Sequence, residues 1–330
     1  WDVNQDQFDS TPEIEALVHE ITRGLDTDAE KVHALNHWAA MNIRYCGLNM
    51  GEGEGYVLHP GDMIVRERIG VCKDIAGMAI TLCRAAGYDV YPAMTMAGSR
   101  VEAIPADQFN HCVGAWRKPD GTWHMLDPTW IPFSRYDWSR AEGEQHYVIG
   151  TPAGEDLMRI RAYAPEENHV VLRLRGEIAA DGTLHGELKV EGDGQADTRL
   201  RRTLGQGRRD GVEPGLRRWL AQLAPGAELT RWKSGDPQDW SRPLELELEF
   251  RHLAGPQPLA ELATEERRGF LDAFAALLFV FPGHYAVEHP CEAHIRTNFD
   301  VVDRDEPHAR VADFGADELR EFPHDLTRKL

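Results

Sequence analysis

"RIGVCKDIAGMAITLCRAAG", residues 68–87, sets Cys72 directly behind a turn marked by Gly70 and directly ahead of a long apolar run. The apolar spacing predicts a helix from about Cys72 to Ala86, with Gly87 as its C-terminal stop. A helix N-terminus carries partial positive charge and unpaired N–H groups, both of which favour a thiolate. The same N–H groups can receive the oxyanion formed when a carbonyl is attacked. A free thiol has a pKa of about 8.5 and is a poor nucleophile until it ionises, so position alone gives Cys72 half of a nucleophilic site. The plain alternative is a small buried hydrophobe, and Cys83 is read that way.

On the N-terminal side, "STPEIEALVHEITRGL" offers Ser10 and Thr11 as caps with Pro12 in the first turn, and "TDAEKVHALNHWAAMNIRY" repeats the pattern behind Thr27 or Asp28. Two helices are therefore expected first, the second ending near Tyr45. A Gly-rich loop, "GLNMGEGEGYVLHPGD", leads to a short helix over Met63 to Arg68. Beyond Gly87 the period changes. "YDVYPAMTMA" reads as a strand, and "FNHCVGAWRK" and "GTWHMLDPTW" read as two strands joined by "PDG". Helices followed by an antiparallel sheet is an α+β order.

That hairpin supplies a base. His111 lies on its first strand and Asp127 on its second, and their midpoint is residue 119. A three-residue loop over Lys118 to Asp120 would set them directly opposite, with Cβ atoms about 5 Å apart. A carboxylate can then accept from one imidazole nitrogen while the other faces a thiol. A slip of one residue would break the arrangement. Cys112 and Asn110, adjacent to His111, point to the other face by alternation, and Cys112 is expected to pack inside. His124 is expected to be structural.

These three stretches, with "NIRY" and "VLHPGDMIVRERIGVCKD", resemble the transglutaminase-like superfamily of papain-type cysteine enzymes over roughly residues 10 to 160, and most of all its bacterial members with β-rich domains flanking the core. The resemblance implies a papain-like core of N-terminal helices packed on an antiparallel sheet. It also implies Cys72 as nucleophile, His111 as base and Asp127 as orienting acid. The expected activity is cysteine-dependent acyl transfer through a thioester, most readily hydrolysis of an amide in a peptide or glycopeptide. Rival readings are a lyase or glycan-directed enzyme using the same three residues, and a non-catalytic binding scaffold. Tyr45 is a candidate hydroxyl near the oxyanion, and Trp130, just after "DPT", a candidate wall of a substrate groove. Similar bacterial proteins are exported, which implies a periplasmic or secreted protein.

The second half, residues 161–330, is expected to form a smaller mixed domain rich in β-structure, with the boundary near residue 160. "HVVLRLRGEIAADGTLHGELKVEG" reads as a hairpin about Asp181-Gly182, followed by a helix at 214–223, a strand "PLELELEFRHL" and a helix at 258–278. From about residue 280 short strands and polar loops are expected. Seven arginines between Arg199 and Arg218 read as a solvated surface, with an acidic partner as the alternative.

The bulk composition narrows the rest. The 330 residues are 42% hydrophobic and carry a net charge of −19, which disfavours nucleic acid as a partner. No apolar run approaches the roughly 18 residues of a membrane span. The five cysteines, Cys46, Cys72, Cys83, Cys112 and Cys291, form no CxxC, so neither a disulfide scaffold nor a structural zinc site is expected. No calcium loop is visible, and the proposed chemistry requires no cofactor. The chain opens on Trp1 with nothing that reads as a signal peptide, so a leader or an upstream domain is expected to have been removed.

Overall fold

Ten consecutive residues of one helix, Asp74 to Cys83, are buried, and the first unit of the chain is arranged around them. The computed structural model describes residues 1–46, 55–98, 101–102, 104, 108–178, 183–205, 211–223, 226–252, 294–303 and 310–313. The chain forms two compact units, Trp1–Tyr163 and Ala164–Leu330.

The first unit runs α1 (Pro12–Ile21), α2 (Asp28–Asn42), β1 (Arg44–Tyr45), α3 (Gly61–Glu67), β2 (Ile69–Gly70), α4 (Cys72–Ala85), β3 (Val90–Thr95), β4 (His111–Arg117), β5 (Trp123–Leu126), β6 (His146–Ile149) and β7 (Met158–Arg159). The caps are the expected ones. Thr11 Oγ1 accepts from Ile14 N at 3.3 Å, and Thr27 and Glu30 form a reciprocal capping box. At the far end of α4, Gly87 N donates to Arg84 O and Tyr88 N to Cys83 O, a Schellman closure. Helices α1, α2 and α3 and strands β3 and β4 all pack against α4. A helix enclosed in this way must be apolar nearly all round, and Ile75, Met78, Ile80 and Leu82 are at most 2% exposed. Each such side chain stabilises the unit by about 1.5–3 kcal/mol relative to exposure.

The sheet has the order β5-β4-β3-β6-β7 and is antiparallel throughout. The register of its hairpin differs from expectation. Gly114 pairs with Leu126 and Trp116 with His124, while Lys118 N donates to Thr122 O at 2.8 Å. The loop is therefore Pro119–Gly121, one residue later than the sequence reading, because Gly121 takes the left-handed position at φ +82. His111 and Asp127 are consequently diagonal rather than directly opposite. The shift moves the partner by two positions, so both residues keep the same face. Two further differences are local. Helix α2 stops at Asn42, so Tyr45 lies in β1, paired in parallel with Gly70. The segment 131–165, read as irregular, contains β6 and β7.

The second unit holds β8 (His169–Ile178), β9 (Leu184–Gly192), α5 (Gln195–Gly205), α6 (Glu213–Leu223), β10 (Ala227–Ser234), β11 (Glu245–His252), β12 (His294–Asp303) and β13 (Arg310–Asp313). Its sheet has the order β10-β11-β9-β8-β12-β13, with β12 parallel to β8. Leu204, Leu216 and Leu220 from the two helices share a core with Leu188, Leu248 and Phe250 of the sheet. The Asp181-Gly182 turn, the helix expected at 258–278 and Cys291 lie outside the described residues. Among those described, no helix is long and apolar enough to cross a membrane.

The arginine-rich segment is not wholly a solvated surface. Arg201 is fully buried in α5 and pairs with Asp197 at 2.7 Å. Its remaining N–H groups donate to the carbonyls of Pro237, Asp239 and Arg242, and Asp197 accepts from Leu244 N. Removing one member of such a pair leaves a buried charge and orphaned carbonyls. Arg201→Ala is therefore expected to destabilise the second unit by about 3–5 kcal/mol. Urea denaturation of the full chain measures this, and a loss below about 1 kcal/mol would contradict a structural role for the pair.

Candidate active site

The site is built where the N-terminus of α4 meets the start of β4. Gly70 closes β2, Val71 caps α4, and Cys72 is its first residue. Asp74, fully buried, holds this corner. Its Oδ2 accepts from Val71 N at 2.9 Å and its Oδ1 from the His59 ring at 2.7 Å. A Cβ on residue 70 would lie 2.5 Å from Asp74 Cβ, so the chain can turn this closely only with glycine there.

Across this corner the structure brings Cys72, His111 and Asp127 together. His111 Nε2 lies 2.9 Å from Asp127 Oδ2, with both side chains buried. The imidazole also lies beside the Cys72 thiol and favours its ionised form. Since Nε2 is engaged by Asp127, Nδ1 is the atom left for the sulfur. Asp127 Oδ1 is occupied as well, accepting from the N–H groups of Thr129 and Trp130 at 3.0 and 3.3 Å. Asp127 N donates to Asp137 O at 2.7 Å.

The electrostatics divide the charge in a definite sense. Burial opposes ionisation of Cys72. The neighbouring His111 imidazole and its charge, with the Cys112 and Lys73 N–H groups, outweigh it, holding the thiol below its ordinary value. Burial also opposes the charged form of His111. The Asp127 carboxylate and Cys72 overcome it and raise the imidazole to about 10. Both shifts run in the direction of a thiolate–imidazolium pair. Cys83 and Cys112 show the contrast, since burial pushes both thiols well above the ordinary range.

Trp130 stands edge-on to His111, with ring centroids 6.2 Å apart. Tyr45 is 54% exposed, and its strand pairing with Gly70 sets its backbone two residues from Cys72. Asn110 turns away and exchanges hydrogen bonds with the Ala97 backbone. Cys112 shares the parity of Gly114 and Trp116, toward α4, yet its backbone N–H reaches the Cys72 sulfur.

Three contributors went unnoticed in the sequence. Asp74 was visible there, as an acid three residues after a helix cap. Glu142 was not. It is buried near Asp127 and His111, and burial together with the Asp127 charge raises its carboxyl to about 8. Asp137 is the third, and its carboxylate accepts from His33 Nδ1, Asn36 Nδ2 and His124 Nε2 at 2.9–3.1 Å. It thereby joins α2, β5 and the segment carrying Asp127, and gives His124 its structural role. Beside this cluster His37 is buried, and burial with the neighbouring His33 pushes it down to about 3.

Asp74→Ala removes the acceptor of Val71 N and one partner of the His59 ring at once. It is expected to cost about 1–3 kcal/mol of stability and to slow alkylation of Cys72 as the helix start loosens. Denaturation and thiol-labelling rates on the same preparation check both effects.

Residues 15–128 match the family model of the transglutaminase-like superfamily. Human kyphoscoliosis peptidase is 25% identical over 134 residues, which is 39% of this chain and 20% of that protein. The chain thus spans about a fifth of the length of that relative. A candidate cysteine protease from Cytophaga hutchinsonii shares 22% identity over 38% of this chain and 41% of its own, with a TM-score of 0.30. A candidate protease from Parabacteroides distasonis shares 12% identity over 75% and 50%, with a TM-score of 0.38. Over residues 15–128 the chain is thus similar to the transglutaminase-like superfamily, and this region is of mixed helix and antiparallel-sheet build.

Proposed function

We propose that this protein is a cysteine-dependent acyl-transfer enzyme in which Cys72, His111 and Asp127 act together to hydrolyse an amide bond of a peptide or glycopeptide. The observation that carries the reading is the partly buried Cys72 thiol beside the buried His111–Asp127 pair, with the thiol held low and the imidazole held high. The relative named as a peptidase supports a peptide as substrate.

In the first half-reaction the Cys72 thiolate attacks the carboxamide carbon, and the carbonyl π electrons move to oxygen. The N–H of Cys72, at the free end of α4, receives that oxyanion, and the exposed Tyr45 hydroxyl is a second donor. Collapse of the tetrahedral species breaks the C–N bond, and imidazolium His111 passes its proton to the departing amine. The enzyme is left as a thioester with His111 neutral. Water then gives a proton to His111 and its oxygen to the acyl carbon, which expels the thiolate and restores the ion pair. Asp127 stays ionised and fixes the ring by holding Nε2, while Trp130 forms a wall beside it.

Iodoacetamide labelling read by mass spectrometry tests the nucleophile. Cys72 is expected to react faster than Cys46, Cys83 and Cys112 near neutral pH, because its thiolate persists below the ordinary thiol pKa. In His111→Ala only burial and the backbone donors remain. The Cys72 pKa then rises and the advantage is lost, with kcat/KM falling roughly 10²–10⁴-fold on any amide substrate found. A Cys72 that labels like the other thiols, or ignores His111, would sink the proposal. Screening amide and glycan substrates separately decides the bond attacked.

Tyr45→Phe separates a catalytic hydroxyl from an exposed ring. As an oxyanion donor it is expected to lower kcat by roughly 10²-fold with little change in KM. An unchanged kcat removes Tyr45 from the mechanism.

A further inference from the structure

The cluster about Asp137 carries a second chemistry. His33 and His37 are one turn apart on the same face of α2, and their rings lie 4.1 Å apart between centroids. Asp137 arrives from the segment that follows β5. One ring nitrogen of each histidine and a carboxylate oxygen of Asp137 all lie within 4.8 Å of one another. His33 Nδ1 and Asp137 Oδ1 are already 3.1 Å apart. Donor atoms in a tetrahedral zinc site, with bonds of about 2.0–2.1 Å, are separated by about 3.3 Å. The widest pair must therefore close by somewhat more than an ångström, which rotation of an imidazole on its side-chain torsions can supply. His37 and Asp137 are set in the interior, whereas 32% of the His33 side chain is exposed, which leaves an approach from solvent.

We propose that His33, His37 and Asp137 form a binding site for a divalent transition-metal ion of the zinc class, distinct from the Cys72 site. Two imidazoles and one carboxylate are the donor set such ions take, and they disfavour calcium and magnesium, which prefer oxygen alone. His124 Nε2, 2.9 Å from Asp137 Oδ2, orients the carboxylate from behind, as outer-shell groups do at such sites. On binding, His33 presents Nδ1 as a lone pair and carries its ring proton on Nε2. The ion replaces the present hydrogen bond to Oδ1, and no electron is transferred. Because Asp137 O holds Asp127 N–H, the metal would fasten α2 to the segment that carries Asp127. The absence of CxxC gave no sign of this site, which combines HxxxH on one helix with an acid about a hundred residues later in the chain.

The test uses the full chain with Cys72→Ala, so that the reactive thiol does not compete for metal. After chelator treatment, Co²⁺ is added and followed by visible absorption, and Zn²⁺ by calorimetry and thermal melting. One equivalent of Co²⁺ is expected to bind with a nitrogen–oxygen ligand spectrum, to be displaced by Zn²⁺, and to raise the melting temperature. His33→Ala, at the exposed rim, is expected to weaken binding at least roughly 10-fold while circular dichroism stays that of the parent. Asp137→Asn is expected to do the same, and His33→Ala keeps the test decisive if that variant fails to fold. No saturable binding, binding unchanged in His33→Ala, or a spectrum dominated by thiolate charge transfer would each overturn the proposal.

Discussion

Enclosure of α4 is the constraint from which the first unit follows. A helix packed against three others and a sheet cannot rotate about its axis without exposing Ile75, Met78, Ile80 or Leu82, so the direction of its first turn is fixed by the core. Cys72 inherits that direction. The glycine before it and the buried Asp74 then settle the last few ångströms, the one by leaving room and the other by tying down the backbone. The thiol's position thus derives from hydrophobic packing, while its lowered pKa derives from the strand it faces. Strand β4 contributes an imidazole from one residue and a backbone N–H from the next.

The acid end of the chain is secured differently. Asp127 lies just past the end of β5, where sheet hydrogen bonding no longer governs it. The Asp137 carbonyl takes its N–H, and the Asp137 carboxylate is itself gripped by two histidines and an asparagine. Two acids ten residues apart therefore play complementary parts. One serves the imidazole, and the other serves the loop on which the first one sits.

Much of this was legible in the residues, for reasons that can be named. The apolar run after Cys72 and its glycine stop specify a buried helix whatever surrounds it. The parity of His111 and Asp127 survives an error in the loop, because a shift of two positions preserves the face. What escaped reading lacks a local signature. Asp137 and Glu142 lie in an irregular segment without periodicity, and their significance comes only from partners distant in sequence. Arg201 escaped because charge alone assigns arginine to the surface, and only the folded chain shows a carboxylate and three carbonyls gathered about it. Tyr45 was read as the end of α2 but lies in β1, since an apolar period does not mark where a helix yields to a two-residue strand.

The two backbone donors on Asp127 Oδ1 bear on which side chains this position accepts. An amide of the same shape has one acceptor oxygen and one NH2 group. If its oxygen faces Thr129 and Trp130, the NH2 meets the imidazole and can bond only to an unprotonated nitrogen there, reversing the tautomer. If the oxygen faces the imidazole, the NH2 confronts two backbone N–H groups with nothing to accept them. Position 127 thus needs acceptors on both sides, and an ionised carboxylate provides them in either orientation. The turn that follows β5 and the imidazole together select for an acid, since an amide oxygen could satisfy either one alone.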